Sequence, residues 1–279
     1  LGLDIIDTAE FGLSTAINWS TNENEVTDLF GTESINLSPG ASVSSRAVVG
    51  YPLGSLYGTG SQTNPDGSFI LNSNGFPQIT SSPIVLGDPN PDWRGGISLS
   101  MRYKKFRLNA VLEHSEGGDF SPRTLWVLNR FGTTQETANR LTLDQPLVNY
   151  RGNTIPAGTT VRGNVRDFGG GPVLLDENWY RTGIGGGFGD NQAYNFSIAD
   201  ATFTKLRDLS LSYVIDTPLV TNIGLSDVIV SVTGRDLINI NNVEGIDPEI
   251  NTKGVSVAQG VEYFTNPQTK GFLFSLTIN

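Results

Sequence analysis

The sequence contains no cysteine and a single histidine, His114. A disulfide framework and thiolate metal sites are therefore excluded, and a nucleophilic triad or a histidine-rich metal centre has only one histidine to draw on. No run approaches the roughly 20 apolar residues of a membrane helix, which excludes a helical membrane protein. Basic residues are few, 18 against 28 acidic ones, and the net charge of −10 argues against binding to a nucleic-acid backbone.

Alternation of apolar and polar residues is the main pattern that is present. Together with 33 glycines and many Asn, Ser and Thr residues, it indicates an all-β chain. Strict alternation predicts strands at 11–20, 96–104, 106–114, 203–215, 227–237 and 271–279, with a less regular strand around 48–58.

Each predicted strand has one apolar and one polar face. The apolar faces of the two most regular strands carry Leu209, Leu211, Tyr213 and Ile215, and Phe272, Phe274, Leu276 and Ile278. The opposite faces carry charges within strands, at Arg102, Arg107, Glu113 and Arg235. This pattern fits a soluble β-sandwich with a buried apolar face. It also fits a transmembrane barrel whose apolar face meets lipid. Alternation alone leaves both open.

The connections between the predicted strands are very unequal in length. Lys104 and Lys105 form a tight turn and 216–226 a short one, whereas 59–94, 115–202 and 238–270 are long and polar. Compact soluble domains seldom contain structureless loops longer than about 15 residues. Short turns at one end and long loops at the other are typical of an outer-membrane barrel with periplasmic turns and extracellular loops.

Candidate binding residues are aromatic side chains of the long loop 115–202. Such rings can stack on sugar rings or contact a protein partner, and they can equally pack the loop against itself. The candidates are Trp126, Tyr150, Trp179, Tyr180, Phe188 and Tyr194.

Motifs for covalent chemistry are weak, so the chain is not predicted to be an enzyme. The segment 183–189 lacks the dinucleotide fingerprint, because its sixth position is Phe188. The acidic pairs Asp176–Glu177 and Asp247–Glu249 are expected to be solvated, and His114 is expected at the rim of the barrel. No metal site or cofactor is predicted. The segments 64–67 and 247–251 carry oxygen ligands of the kind that calcium binds, but turn formation explains both.

Five segments, in order along nearly the whole chain, resemble the SusC/RagA-type TonB-dependent transporters of the Bacteroidetes outer membrane. They are VVGYPLGSLYG (48–58), 85–119 with its GDPNPDWRGG start, DATFTKLRDLSLSYVI (200–215), 231–251 with its GIDPE motif, and YFTNPQTKGFLFSLTIN (263–279). Two positions depart from the family pattern. Asp236 stands where the family usually has Asn, and Asn279 where it usually has a terminal aromatic residue.

The resemblance implies a fold and a location. Residues 1–279 would form about seven antiparallel strands at the C-terminal end of a barrel of about 22 strands, in the bacterial outer membrane. The plug and the N-terminal domains would lie outside this sequence. The apolar strand faces would meet lipid, and Arg102, Arg107, Glu113 and Arg235 would face the lumen or the plug.

The resemblance also implies a function, the import of a glycan oligomer or peptide. The partners would be the rest of the barrel and its plug, TonB, and a SusD-like surface lipoprotein that acts as a lid. An alternative is a SusC-like barrel that serves as a structural subunit of a protein export or biogenesis complex. A secreted glycan-binding β-sandwich is the alternative from another class.

Overall fold

The structure, a computed structural model, describes residues 1–38, 42–183, 192–243, 245–252, 254 and 259–279. These residues form twenty strands: β1 (Gly2–Asp7), β2 (Phe11–Ser20), β3 (Ser34–Ser38), β4 (Ser44–Val48), β5 (Ser55–Gly58), β6 (Ile84–Gly87), β7 (Trp93–Tyr103), β8 (Phe106–Glu116), β9 (Asp119–Pro122), β10 (Arg140–Thr142), β11 (Leu147–Val148), β12 (Thr154–Ile155), β13 (Thr160–Arg162), β14 (Asn164–Asp167), β15 (Pro172–Leu175), β16 (Ala199–Asp200), β17 (Phe203–Ile215), β18 (Val228–Asn241), β19 (Val261–Glu262) and β20 (Gly271–Ile278). The helical elements are α1 (Arg123–Phe131), α2 (Gln135–Ala138), α3 (Pro218–Thr221), a π-helical turn (Trp179–Gly183) and a 3-10 turn (Tyr194–Ser197).

Seven long strands form one antiparallel sheet, here called the main sheet, in the order β1-β2-β7-β8-β17-β18-β20. Six of them confirm strands expected from alternation. The seventh is β1, which alternation did not reveal. The prediction that 48–58 forms a strand of this sheet was wrong. Its strand residues belong to the end of β4 and to β5, in a separate four-stranded sheet.

The strands of the main sheet are joined by short turns at one end and by long connections at the other. The short turns are residues 8–10, 104–105 and 216–227, and the long connections are 21–92, 117–202 and 242–270. The predicted asymmetry is therefore confirmed, although the first long connection begins at residue 21 rather than 59. The long connections together are called the loop layer below.

The register aligns the apolar residues of neighbouring strands in rows on one face. Leu211 lies opposite Leu108 on β8 and Val232 on β18, and Val232 lies opposite Phe274 on β20. Leu211 is 44% exposed and Phe274 78% exposed, so the described residues leave this face uncovered. A β-sandwich would bury such a face beneath a second sheet.

The buried core lies in the loop layer. Among the described residues, every buried apolar side chain except Phe203 belongs to this layer. The layer contains the sheet β3–β6, three two-stranded pairs, and β9 flanked by β16 and β19. The loop layer thus packs largely within itself, and both faces of the main sheet are open except at its loop end, where Lys205 on the polar face is covered.

β-Bulges interrupt the register of the main sheet at two places. The register shifts between Asp4 and Ile6 in β1, and between Leu206 and Asp208 in β17. A bulge inserts one residue into a strand and re-aims the side chains next to it. In β17 it allows Lys205, Arg207 and Asp208 to lie on the polar face together. No helix among the described residues is long and apolar enough to cross a membrane.

Candidate functional site on the polar face and in the loop layer

The polar face of the main sheet holds all four charged residues expected to face inward. Arg102 and Arg107 are directly opposite each other on β7 and β8, near the short turns. Arg102 forms an ion pair with Asp7 at 3.1 Å and donates to the backbone oxygens of Thr8 and Ala9 at 2.8 and 3.0 Å. These contacts tie the turn after β1 to the third strand of the sheet.

Short polar side chains occupy the middle of this face. Ser100 donates to Asn109 at 2.9 Å, and Thr233 donates to Ser210 at 3.0 Å. Arg235 lies opposite Asp208, with 3.7 Å between its Nε and the carboxylate. Hydroxyl, amide and ionised groups of this kind suit a wet interior or a polar plug, and they would be costly against hydrocarbon.

The strongest electrostatic feature lies at the loop end of the polar face and is called here the Lys205 cluster. It consists of Lys205, Arg207, Glu113, Asp236, Asp247 and Glu249. Lys205 is fully buried, and its Nζ donates to both carboxylate oxygens of Asp247 at 2.8 and 2.7 Å and to Glu249 at 2.8 Å. A buried ammonium needs such partners, because an unpaired charge in the interior costs several kcal/mol.

Arg207 extends the cluster sideways. It contacts Glu113 on the neighbouring strand at 2.6 Å, bonds to Glu249, and lies 3.7 Å from Asp236. Burial raises the pKa of Glu249, but hydrogen bonds from Arg207 and Lys205 outweigh it and lower the pKa to about 2. Glu249 is therefore ionised at neutral pH. The expectation that Asp247 and Glu249 are merely solvated was wrong.

Three of the loop aromatics proposed to contact a ligand or partner are buried in the loop core. Trp179, Tyr180 and Tyr194 are each 3% exposed. Trp179 packs against Phe76 and Phe168, with ring centroids 5.5 and 5.4 Å apart. These three side chains pack the loop against itself, and rings so enclosed offer no face to a ligand.

The remaining loop aromatics are less enclosed. Trp126 donates its indole N–H to the Ser197 oxygen at 3.0 Å, and Tyr150 packs edge-on against Phe76 at 5.2 Å. Both border the core that surrounds Trp179. Phe188, and most of the glycine-rich segment around it, lie outside the described residues.

Tyr180 shows how polar groups are accommodated in this core. Its hydroxyl donates to Glu136 at 3.1 Å and accepts from Asn164 at 2.7 Å. Burial, followed by the charge of Glu136, raises the pKa of Tyr180. The hydroxyl thus stays neutral and acts as a structural link between α2 and β14.

A cavity of about 480 Å³ opens between the end of α1, β13 and residues 176–180. Its lining includes Arg130, Arg162 and Glu177, and the exposed ring of Phe131. Arg130 donates to the Arg181 oxygen and Glu177 pairs with Arg181, so these charged groups already have protein partners.

His114 lies near the loop end of β8, in a row with exposed apolar residues. Its Nδ1 is 2.8 Å from Thr204 Oγ1 and its Nε2 is 2.9 Å from Glu116, and its ring stacks on Trp93. Trp19 lies in the same row, since it pairs with Gly95, which in turn pairs with His114. These rings border the apolar face at its loop end.

The oxygen-rich turns considered as calcium sites have protein partners. Asp66 accepts from the backbone N–H and hydroxyl of Ser68, and these bonds lower its pKa. Asp247 and Glu249 contact Lys205. Within the described ranges, no group of three or more His, Asp or Glu residues is placed to hold a metal ion.

Sequence reasoning missed Lys205 and Arg207 as site residues. The only signal was a pair of cations in the irregular first half of a strand, and an acidic pair 42 and 44 residues further on. No periodicity links positions so far apart.

No family model matches the chain. One curated relative is the TonB-dependent receptor P3 of Formosa agariphila, 23% identical over 306 aligned positions that cover 98% of this chain and 27% of the relative. The relative is named as a receptor, and the chain spans about a quarter of its length.

Solved structures with the same fold include the RagAB peptide importer in its closed-closed state, with 18% identity and a TM-score of 0.59. The RagAB peptide transporter gives 17% identity and a TM-score of 0.61. Each alignment covers 99% of this chain and 28% of the solved one. The sheet, its bare apolar face and its one-sided loops therefore have the form of a stretch of a large barrel wall, and in sequence and fold the chain resembles a part of the SusC/RagA-type TonB-dependent transporters of the outer membrane.

Proposed function

We propose that the chain forms part of the wall and outer loops of a transporter that imports a nutrient across the outer membrane with energy delivered by TonB. The nutrient would be a glycan oligomer or a peptide. A SusD-like surface lipoprotein would close over the loop layer, and a plug from another part of the same protein would fill the barrel. The relatives named as a TonB-dependent receptor and a peptide importer support this proposal.

The observation that carries the proposal is the contrast between the two faces of the main sheet. The apolar face of β20 carries four side chains that are each more than half exposed: Phe272, Phe274, Leu276 and Ile278. Among the described residues, the polar face has no comparable row of exposed apolar side chains. Exposed apolar rows of this size require a lipid or protein cover. We propose lipid for this face, including the Leu209 to Ile215 row, and lumen or plug for the face of Arg102.

The short turns are assigned to the periplasm and the loop layer to the cell surface. Two sets of aromatic residues on the apolar face, one near each end of the strands, support the proposal that the membrane lies between them. Phe11, Tyr103, Phe106 and Tyr213 are aligned near the short turns, and Trp19 lies near the long loops. Barrels of the outer membrane have aromatic girdles at both interfaces. The proposed role requires no covalent chemistry of this chain.

The test is native mass spectrometry of the complex extracted in mild detergent, with denatured intact masses measured alongside. The importer predicts a single large chain that contains this sequence, associated with one lipidated partner. Uptake of a radiolabelled candidate oligomer should then stop when a protonophore abolishes the inner-membrane proton gradient. A chain found instead among several unrelated outer-membrane proteins, with no energy-dependent uptake, would favour the assembly-subunit alternative.

A further inference from the structure

Residues 245–252, called here the inner segment, lie against the polar face of the main sheet. Lys205 belongs to the polar face because it pairs with Glu113 on β8 and Asn239 on β18. Asp247 and Glu249 of the inner segment reach Lys205 from above that face, and Asn239 also donates to Asp247 at 3.2 Å. The segment therefore returns toward the sheet interior instead of extending away from its edge.

The contact is close and specific. Lys205 is fully buried and Asp247 is 8% exposed, so the inner segment covers the wall completely at this point. A buried ion pair rarely adds stability beyond that of a packed apolar pair. It does favour one position of the inner segment, because any other position would leave a buried charge without its partner, at a large cost in free energy. The cluster thus specifies where the segment sits.

The chain that follows the inner segment is attached at a second place, in the loop layer. There β19 pairs in parallel with β9. Glu262, 1% exposed, accepts hydrogen bonds from the backbone N–H and hydroxyl of Thr124 at 3.1 and 2.6 Å. The connection 242–270 is thus fixed to the wall at one point and to the loops at another.

We propose that the inner segment folds into the outer mouth of the barrel and narrows it, with the Lys205 cluster as the latch that holds it to the wall. The proposal rests on the barrel described under the proposed function. A segment in this position lies beside the path of any imported ligand, so its residues would limit the size of what enters. Ile250, half-buried beside the latch, would line the narrowed passage.

The proposal can be tested by size-selective labelling of the full-length protein in intact cells. Ile250→Cys is introduced into a background without other cysteines. Its reaction is followed with a small impermeant maleimide and with a maleimide carried on a polyethylene-glycol chain of several kilodaltons. Ser73→Cys, in an exposed turn of the loop layer, is the reference position and should react with both reagents equally.

The latch is opened in two ways. Glu249→Gln keeps the shape of the side chain and weakens contacts to both cations, and Lys205→Met removes the central charge. Lys105→Met is the matched control, since Lys105 pairs with Asp216 at an exposed short turn. If Lys205→Met fails to assemble, Glu249→Gln, at a partly exposed position, still gives the comparison.

With the latch closed, the small reagent should label position 250 at least about tenfold faster than the large one, as expected for a site that opens only locally. Either latch variant should bring the two rates close together, and Lys105→Met should leave the difference intact. Equal rates in the unaltered protein, or a ratio unchanged by both latch variants, would overturn the proposal. Because labelling needs no uptake, failure here is distinguishable from failure of the importer hypothesis.

Discussion

Single residues on the two faces of the main sheet should differ in their tolerance of charge. Leu211→Arg places a guanidinium in the middle of the apolar face, which should cost about 2–4 kcal/mol if lipid covers it. Ser231→Arg, at similar depth on the polar face, is the control and should be nearly neutral. The measurement is the heat-modifiability of the full-length barrel on gels together with its level in outer membranes. Equal behaviour of the two variants would contradict a lipid-covered face.

The Lys205 cluster should weaken in acid within a defined range. The pKa of Glu249 is lowered to about 2 from an ordinary value of 4.5, so its contribution to stability is present above about pH 4.5 and is lost as the pH falls toward 2. Of the ionisable groups around it, Lys205 and Arg207 are its partners, and Glu113, Asp236 and Asp247 share them.

The expected result is a thermal midpoint that is higher for the unaltered protein than for Glu249→Gln above pH 5, with the gap closing between about pH 4.5 and 2. The midpoints are measured on the full-length protein in detergent. A constant gap across this range would show that Glu249 is not held ionised by the cluster.

Sequence alone could not have identified the cluster as a unit. The acidic motif 247–251 was visible and suggested solvation or a turn, because nothing in a sequence shows which cation a carboxylate will meet. The bulge at Arg207 is equally hidden, since it depends on pairing with two neighbouring strands.

At the scale of elements, the loop layer should depend on its own core. Trp179→Ala removes a side chain that is 3% exposed and in contact with Phe76 and Phe168, a kind of change that costs about 3–5 kcal/mol in a packed core. Trypsin should then cleave within residues 123–182, while the heat-modifiability of the barrel stays unchanged. Phe131→Ala, which removes a ring that is 68% exposed, should leave the loops resistant. Resistance of both variants would contradict an independent loop core.

Strands with unbroken alternation were predictable, and those without it were not. In β20 every second residue from Phe272 is apolar, and the strand lies where expected. In β1 the bulge inserts Ile5 next to Ile6, so the sequence shows no alternation there. The segment 48–58 carries a family motif but little alternation, and it pairs only within the loop layer. The packing of Trp179 and Tyr194 required the fold, because rings in a loop can equally face solvent.

At the scale of the whole molecule, the main sheet has two edges. Strands β1 and β20 each have a neighbour on one side only among the described residues. Unpaired edges beside an exposed apolar face lead to association in water. The chain expressed alone should therefore sediment as aggregates without detergent, whereas the full-length barrel in detergent should be monodisperse. A monomeric, water-soluble species of 30.0 kDa would contradict the assignment of the apolar face.

The extra residue at Arg207 reverses the meaning of odd and even numbering along one strand. After it, odd-numbered positions such as Leu209 and Leu211 lie on the apolar face, and before it the positions on that face are the even-numbered Thr204 and Leu206. In a saturation substitution map of β17, the positions that do not tolerate a charged residue should therefore change from even-numbered to odd-numbered at the bulge. Deleting the single codon for Arg207 would remove the bulge, so that one parity would hold along the whole strand while Lys205 stays on the polar face opposite Glu113. A substitution map of the deletion variant should thus show one uninterrupted alternation along β17.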